Sequence, residues 1–274
     1  MKTDHKPLLP QTAPQPGLPE RGAGLFTPSL ALPRQSRFSQ LAVFAVVILL
    51  VMLALDTPMR AHALALDPEL RRLALSLTRF GNAGWPLGLG LAALAGLMAM
   101  GAHKPGWRQR VARARVRAVV LFFLGAVAFS GIASSLTKNI IGRARPQNPD
   151  GGVFEFTPFA FKASWASFPS GHSTTAMAMM VAAAMIWPRH ALGLVATGAF
   201  IALTRAFVGA HWLSDVLAGI AFGTVFTLAY RKRFDGGRRR ALLPEATARV
   251  FGADLLASLK ALLRAIEARI LRLL

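Results

Sequence analysis

Lys138, Arg145, His172, Arg205, His211 and Asp215 are the residues of this chain whose types and spacing could do chemistry. They fall in three stretches: KNIIGRARP (138–146), FPSGHSTTA (168–176) and TRAFVGAHWLSD (204–215). Each stretch borders an apolar block, where a charged or imidazole group is expensive unless it is paired or at work. The cations Lys138, Arg145 and Arg205 have no acid in their own motifs except Asp215, which the spacing assigns to His211. Three such cations call for an anion, and a phosphate is the natural guest because guanidinium forks match its oxygens. Gly171 lets backbone N–H groups approach closely, Ser170 adds a hydroxyl, and a helix starting there aims its dipole at the same point. The expected result is an anion cradle made of Lys138, Arg145, Ser170, Gly171 and Arg205.

Two histidines would complete the chemistry. His211 and Asp215 stand four apart, on one face of a helix opening the last apolar block. Asp215 would then accept one ring N–H of His211 and leave the other nitrogen unprotonated, a nucleophile with its orienter. His172 remains as the general acid for the departing oxygen. The expected reaction is attack on phosphorus, a covalent phosphohistidine, and its hydrolysis by water. The three cations would supply the charge stabilisation, so no metal and no cofactor is expected. Neither H-E-x-x-H nor any cysteine is present to suggest a zinc site. A single histidine in a membrane span is more often a helix–helix hydrogen bond, and an i,i+4 His–Asp pair can merely satisfy itself. It is the joint presence of acid, nucleophile, orienter and cradle that points to catalysis.

These residues need a scaffold, and composition supplies its class. Hydrophobic residues make up 54% of the 274, in blocks near the roughly 20 residues that cross a hydrocarbon core. The fold class expected is all-α: a polytopic membrane helix bundle of about six transmembrane helices, at residues 38–55, 83–102, 116–136, 173–187, 191–208 and 212–230. The organisation read from this is a disordered cytoplasmic tail over 1–37, a six-span domain over 38–230, and a basic segment with a cytoplasmic amphipathic helix over 231–274. AHALA at 61–65 faintly resembles a signal cleavage site, but the long polar leader favours an uncleaved first span. Lys104, Arg108, Arg110, Arg113, Arg115 and Arg117 in the loop before span three, with RKRFDGGRRR after span six, put both segments on the cytoplasmic side. All three polar stretches then end on the opposite, periplasmic side of a bacterial inner membrane.

The formal charge of +20 is thereby explained by topology and by anionic lipid headgroups. No nucleic-acid partner is expected, since no aromatic-interleaved basic module accompanies it. Gly84 and Gly88, and similar pairs, satisfy the small-xxx-small spacing of close helix packing, which in glycine-rich spans is a weak signal. Arg143 falls at a free position and is expected to be solvated or to touch headgroups. Loop one, with Asp56 among mixed charges, is the least decisive for orientation. His5, His62, His103 and His190 are expected to be bystanders. The phenylalanines and Trp165 of the loop over 147–168 suit an interfacial aromatic belt, or a groove for an acyl or prenyl tail.

Lys-x6-Arg-Pro, then Pro-Ser-Gly-His, then Arg-x5-His-x3-Asp is similar to the three-part signature of the type 2 phosphatidic acid phosphatase superfamily, the membrane lipid phosphate phosphatases related to vanadium haloperoxidases. The resemblance covers spans three to six closely and the six-span layout loosely. It implies phosphate binding by Lys138, Arg145, Ser170, Gly171 and Arg205, with His172 as acid, His211 as nucleophile and Asp215 as its partner. Thr204 departs from the serine usual before the arginine. The implied substrates are phosphatidic acid, phosphatidylglycerol phosphate, undecaprenyl diphosphate or lipid A phosphate, and the implied partners are membrane lipids; no feature specifies an oligomeric state. The competing expectations are a phosphotransferase passing the group to a lipid or sugar hydroxyl, and a non-catalytic lipid-binding protein.

Overall fold

Runs of Leu, Ala, Val and Phe without interior proline fold as helices because, away from water, only intrahelical hydrogen bonds satisfy the backbone. In the computed structural model, which describes residues 37–99, 106–149 and 151–235, these runs, together with two more polar segments over 56–64 and 68–78, form eight helices. They are α1 (Arg37–Ala54), α2 (Asp56–Leu64), α3 (Pro68–Thr78), α4 (Gly84–Ala99), α5 (Trp107–Ile141), α6 (Gly171–Ile186), α7 (Ala191–Phe207) and α8 (Leu213–Asp235). No strand occurs among the described residues; an isolated antiparallel bridge joins Arg143 to Phe156. The chain divides after Gln40: the unit Met1–Gln40 contributes only the first residues of α1 to the described part, and the rest concerns the unit Leu41–Leu274. The expected tail up to residue 36, His103, Lys104 and the amphipathic helix beyond Pro244 lie outside the described residues.

The fold is an all-α polytopic membrane bundle. Among the described residues, four segments are long and apolar enough to cross a bilayer: Pro68–Ala99, Trp107–Ile141, Pro188–Phe207 and Leu213–Phe234. The pair α1 and α2, bent by 48° around Leu55, makes a fifth, and α6 is a shorter apolar helix. With 16 residues, α6 is about 24 Å long, and it is the most enclosed helix, packed against α5, α7 and α8. Its alanines and methionines meet Phe122 and Ala126 of α5 in the main core, while Ala202, Ala206 and Val216 join α7 to α8 in a second. Leu41, Leu49, Leu50 and Leu53 of α1 and Phe129, Ile132 and Leu136 of α5 face outward, where a bilayer rather than water is their natural solvent.

One expectation is corrected. Arg108, Arg110, Arg113, Arg115 and Arg117 do not lie in a loop but ride on the first turns of α5, which runs for 35 residues. Gly106 stands at its N-cap, and the Arg and Ala that follow are good helix formers, so nothing delays the helix to the apolar block. Close packing by paired glycines occurs at one of the similar pairs rather than at Gly84 and Gly88. Gly88 has open space where a side chain would stand, whereas a Cβ on Gly219 or Gly223 of α8 would press on the Ser170 and Thr174 carbonyls of α6. Those two glycines let α8 seat directly against the start of α6.

Candidate active site

The C-terminal ends of α5 and α7 and the N-terminal starts of α6 and α8 meet at one end of the bundle. Gly142, with φ +63°, closes α5 by donating to the Lys138 carbonyl at 3.0 Å, and a side chain there would collide with the Thr157 carbonyl. The chain then turns back across α8: Trp212 Nε1 donates to the Ala144 carbonyl at 2.8 Å. Ser170 N donates to the Asp215 carbonyl at 3.0 Å, and the site where a Gly171 Cβ would stand is 3.2 Å from Lys138 Nζ. The three polar stretches therefore share one site.

One half of that site is a closed charge network. Arg143 is fully buried. Its Nη2 donates to Asp56 Oδ2 at 2.8 Å, its Nη1 to Ser214 Oγ at 2.7 Å and to Asp215 Oδ1, and its Nε to the Val153 carbonyl at 3.0 Å. Asp56 also accepts from the Ser214 backbone N at 2.9 Å and from its hydroxyl. Asp215 Oδ2 accepts from the Trp212 backbone N at 3.1 Å and from Ser167 Oγ. Two carboxylates thus satisfy N–H groups at the start of α8, where the helix dipole favours negative charge. The expectation that Arg143 is solvated is corrected: a guanidinium this deep is tolerable because two carboxylates and a carbonyl take up its donors. Asp56, assigned from sequence to a mixed surface loop, is likewise fully buried.

The other half is open. Lys138, Arg145 and Arg205 are partly buried, yet no carboxylate lies within 4.0 Å of any of them among the described ion pairs. Arg145 Nη2 reaches the Ala166 carbonyl at 3.4 Å and Arg205 Nη1 reaches Thr78 Oγ1 at 3.3 Å. The Nε of each is buried without a partner. Burial lowers the Arg145 pKa, against the opposing pull of Asp215. Ser170, fully buried, caps α6 by accepting from Ser173 N at 3.5 Å and Ser173 Oγ at 2.9 Å, which leaves its own hydroxyl proton for another acceptor. Thr204 turns its hydroxyl into its own helix, onto the Ile201 carbonyl at 2.6 Å.

His211 sits on the seam between the halves. It precedes α8 rather than riding on it, because Asp215 caps the helix two residues later, and its Nδ1 lies 3.8 Å from Asp215 Oδ2. The expected direct hydrogen bond is therefore corrected: Nδ1 lies 2.9 Å from the Ser167 carbonyl and 3.4 Å from the Ser167 hydroxyl. A carbonyl can only accept, so Nδ1 carries the proton and Nε2 is left as the free nitrogen. Burial lowers the His211 pKa, with Asp215 opposing. His172, in the first turn of α6, lies within range of the charges of Arg205, His211, Lys138 and Arg145. Gly81 backs it closely: a Cβ there would touch the His172 carbonyl at 3.0 Å.

All eight candidate residues are thus brought to one end of the bundle. Sequence reasoning missed Asp56, Ser167, Ser214 and Thr78. Only Asp56 gave a usable signal: a lone acid abutting an apolar span demands a buried partner. His62 and His190 are exposed and take no part in the site.

A family model for the PAP2 superfamily matches residues 119–238, taking in all three polar stretches. The lipid A 1-phosphatase of Rhizobium etli is 39% identical over 186 residues, covering 65% of this chain and 77% of that protein. The decaprenylphosphoryl-5-phosphoribose phosphatase of Mycobacterium tuberculosis is 35% identical over 161 residues, 55% of this chain and 84% of that protein. Among solved structures, the transmembrane PAP2 type phosphatidylglycerolphosphate phosphatase of Bacillus subtilis matches with a TM-score of 0.52 at 20% identity, over 74% of this chain and 97% of that one. That likeness is one of fold.

Proposed function

Because the chain belongs to the PAP2 superfamily and is a membrane lipid phosphate phosphatase, we propose that it removes a sugar-linked phosphate of the lipid A 1-phosphate class by way of a phosphohistidine. The observation that carries the reading is the open half of the site: three cations, two of them with buried unpartnered Nε groups, beside two imidazoles. Buried donors without a partner are what an arriving phosphate would satisfy.

In the proposed first step His211 Nε2 attacks phosphorus, the phosphorus–oxygen bond to the lipid breaks, and the departing oxygen takes the proton of His172. Nδ1–H, held on the Ser167 carbonyl, keeps Nε2 in line, while Lys138, Arg145 and Arg205 stabilise the charge spread over the equatorial oxygens. In the second step His172 takes a proton from water, whose oxygen displaces His211 and releases phosphate. The substrate class is supported by the Rhizobium etli relative, which is named a lipid A 1-phosphatase.

Placement at the periplasmic face of a bacterial inner membrane is supported by α5. Its arginine-rich start and Lys138 lie near opposite ends of one 35-residue helix, and the positive end belongs in the cytoplasm. The test is a phosphate-release panel on purified protein with lipid A, phosphatidic acid, phosphatidylglycerol phosphate and undecaprenyl diphosphate, with and without chelator and vanadate. Preferred release from lipid A, inhibited by vanadate and indifferent to chelator, is the expected result. Preference for another lipid overturns the substrate, and loss of turnover in chelator overturns the metal-free route.

A further inference from the structure

Asp56 stands far in sequence from every motif of the site, yet its carboxylate closes the buried network that holds Asp215. Its hydrogen bonds go to Arg143 and Ser214, at 2.8 Å to Arg143 Nη2 and 2.9 Å to Ser214 N. Arg143 thus lies between two carboxylates, one from α2 and one from α8, and shares its charge between them. Neither Asp56 nor Arg143 belongs to the anion cradle, and Trp212, beneath the Arg143 guanidinium at 5.5 Å, separates that group from solvent.

We infer that Asp56 and Arg143 are positioning residues that set how much negative charge Asp215 presents to His211, so that the bent first segment of the chain is a working part of the active site. The inference rests on His211 being the nucleophile of the proposed phosphatase. With Asp56 in place, the guanidinium is balanced and the carboxylate of Asp215, 3.8 Å from His211 Nδ1, keeps most of its charge. That charge favours the imidazolium which forms when Nε2 takes the phosphoryl group. Without Asp56, Arg143 has Asp215 alone to pair with, and its positive charge weighs on the imidazole. The other groups bearing on His211 are Arg145 beyond α5, Arg205 of α7 and His172 of α6, with Arg60 and Asp56 of α2 on the wall they share with it. None of the cradle cations is bonded to Asp56 or Arg143, so their contribution stays constant when the clamp is altered.

The experiment compares Asp56→Asn and Arg143→Gln in the full chain. Removing the negative charge of Asp56 moves the acid limb of kcat/KM to lower pH by about one unit; removing the positive charge of Arg143, which is bonded to Asp215 directly while Asp56 acts through it, moves it to higher pH by about two units. In Asp56→Asn, kcat falls roughly tenfold with KM unchanged, as expected of a group supporting a site from behind it. Limbs that stay put, or that move the same way in both variants, overturn the inference, because a purely structural role has no sign. Should either single variant not fold, Asp56→Asn/Arg143→Gln loses one charge of each sign and must move the limb upward; a downward or absent shift overturns the inference. The pH midpoint of His211 carbethoxylation by diethyl pyrocarbonate, followed by peptide mass spectrometry, reports the same order without turnover. A wild type that releases no phosphate from any lipid then overturns the phosphatase reading, while the carbethoxylation midpoints still decide the clamp.

Discussion

Arg143 and Arg145 are two residues apart and chemically identical, yet they occupy opposite kinds of environment. Arg143 is fully buried, with donors on two carboxylates, a hydroxyl and a carbonyl. Arg145 has a long contact to one carbonyl and a buried Nε with no partner. The first is a saturated cation, whose charge is spent inside the protein. The second is an unsaturated one, whose unused donors are available to a guest. The wider halves of the site follow the same division: the network around Asp215 is closed on itself, whereas Lys138, Arg145 and Arg205 repel one another until an anion arrives. The proposed phosphate site calls for both, a rigid frame and a pocket with unused donors.

His211 belongs to both halves, so its loss should be the largest effect. His211→Ala is expected to lower phosphate release on the order of 10⁴-fold, measured as inorganic phosphate from a lipid substrate in detergent. Next, the two arginines should fail in different ways. Arg145→Ala should cost about 10²-fold or more in kcat/KM while the melting temperature holds or rises, because a repelling cation is gone. Arg143→Ala should instead lose about 3–5 kcal/mol of stability, because it strands two carboxylates; thermal melts of the two variants side by side would show it. Similar melts for both would erase the distinction drawn here.

A smaller effect comes from the guest itself. Vanadate at a hundred times its Kd should stabilise the wild type by about 2.7 kcal/mol, and Arg145→Ala/Arg205→Ala should lose this response. If that double variant still responds, the anion binds elsewhere. The smallest effect is in pH. In the proposed mechanism His211 attacks as the neutral imidazole, and burial holds its pKa below the ordinary value of 6.5. Activity governed by that group should persist as pH falls through 6.5 and disappear only below its depressed pKa. A kcat/KM profile with an acid limb above 6.5 would contradict the burial of His211 or its part in the reaction.

Much of this molecule can be read before it folds. Blocks of apolar residues fix the helices, because a chain in hydrocarbon has no other way to satisfy its backbone. The three polar stretches bring Lys138, His172 and His211 to one end, because alternate spans run in opposite directions. Long-range partnerships were not legible. Asp56 and Arg143 are 87 positions apart, and no local pattern states that one carboxylate will neutralise a particular guanidinium. The geometry of the His211–Asp215 pair was not legible for a related reason: four-residue spacing implies a shared helix face, but Asp215 uses its carboxylate to start α8, which leaves His211 before the helix, with its Nδ1 3.8 Å from Asp215 Oδ2 and 2.9 Å from the Ser167 carbonyl.

The sequence by itself determined the class of the fold, the inventory of reactive groups and the side of the bundle on which they gather, since each depends on local polarity and on the alternation of spans. Tertiary structure alone decided which charges are cancelled and which are left open. Whether a cation is saturated depends on what the rest of the chain places within about 3 Å of it, and that is a property of packing.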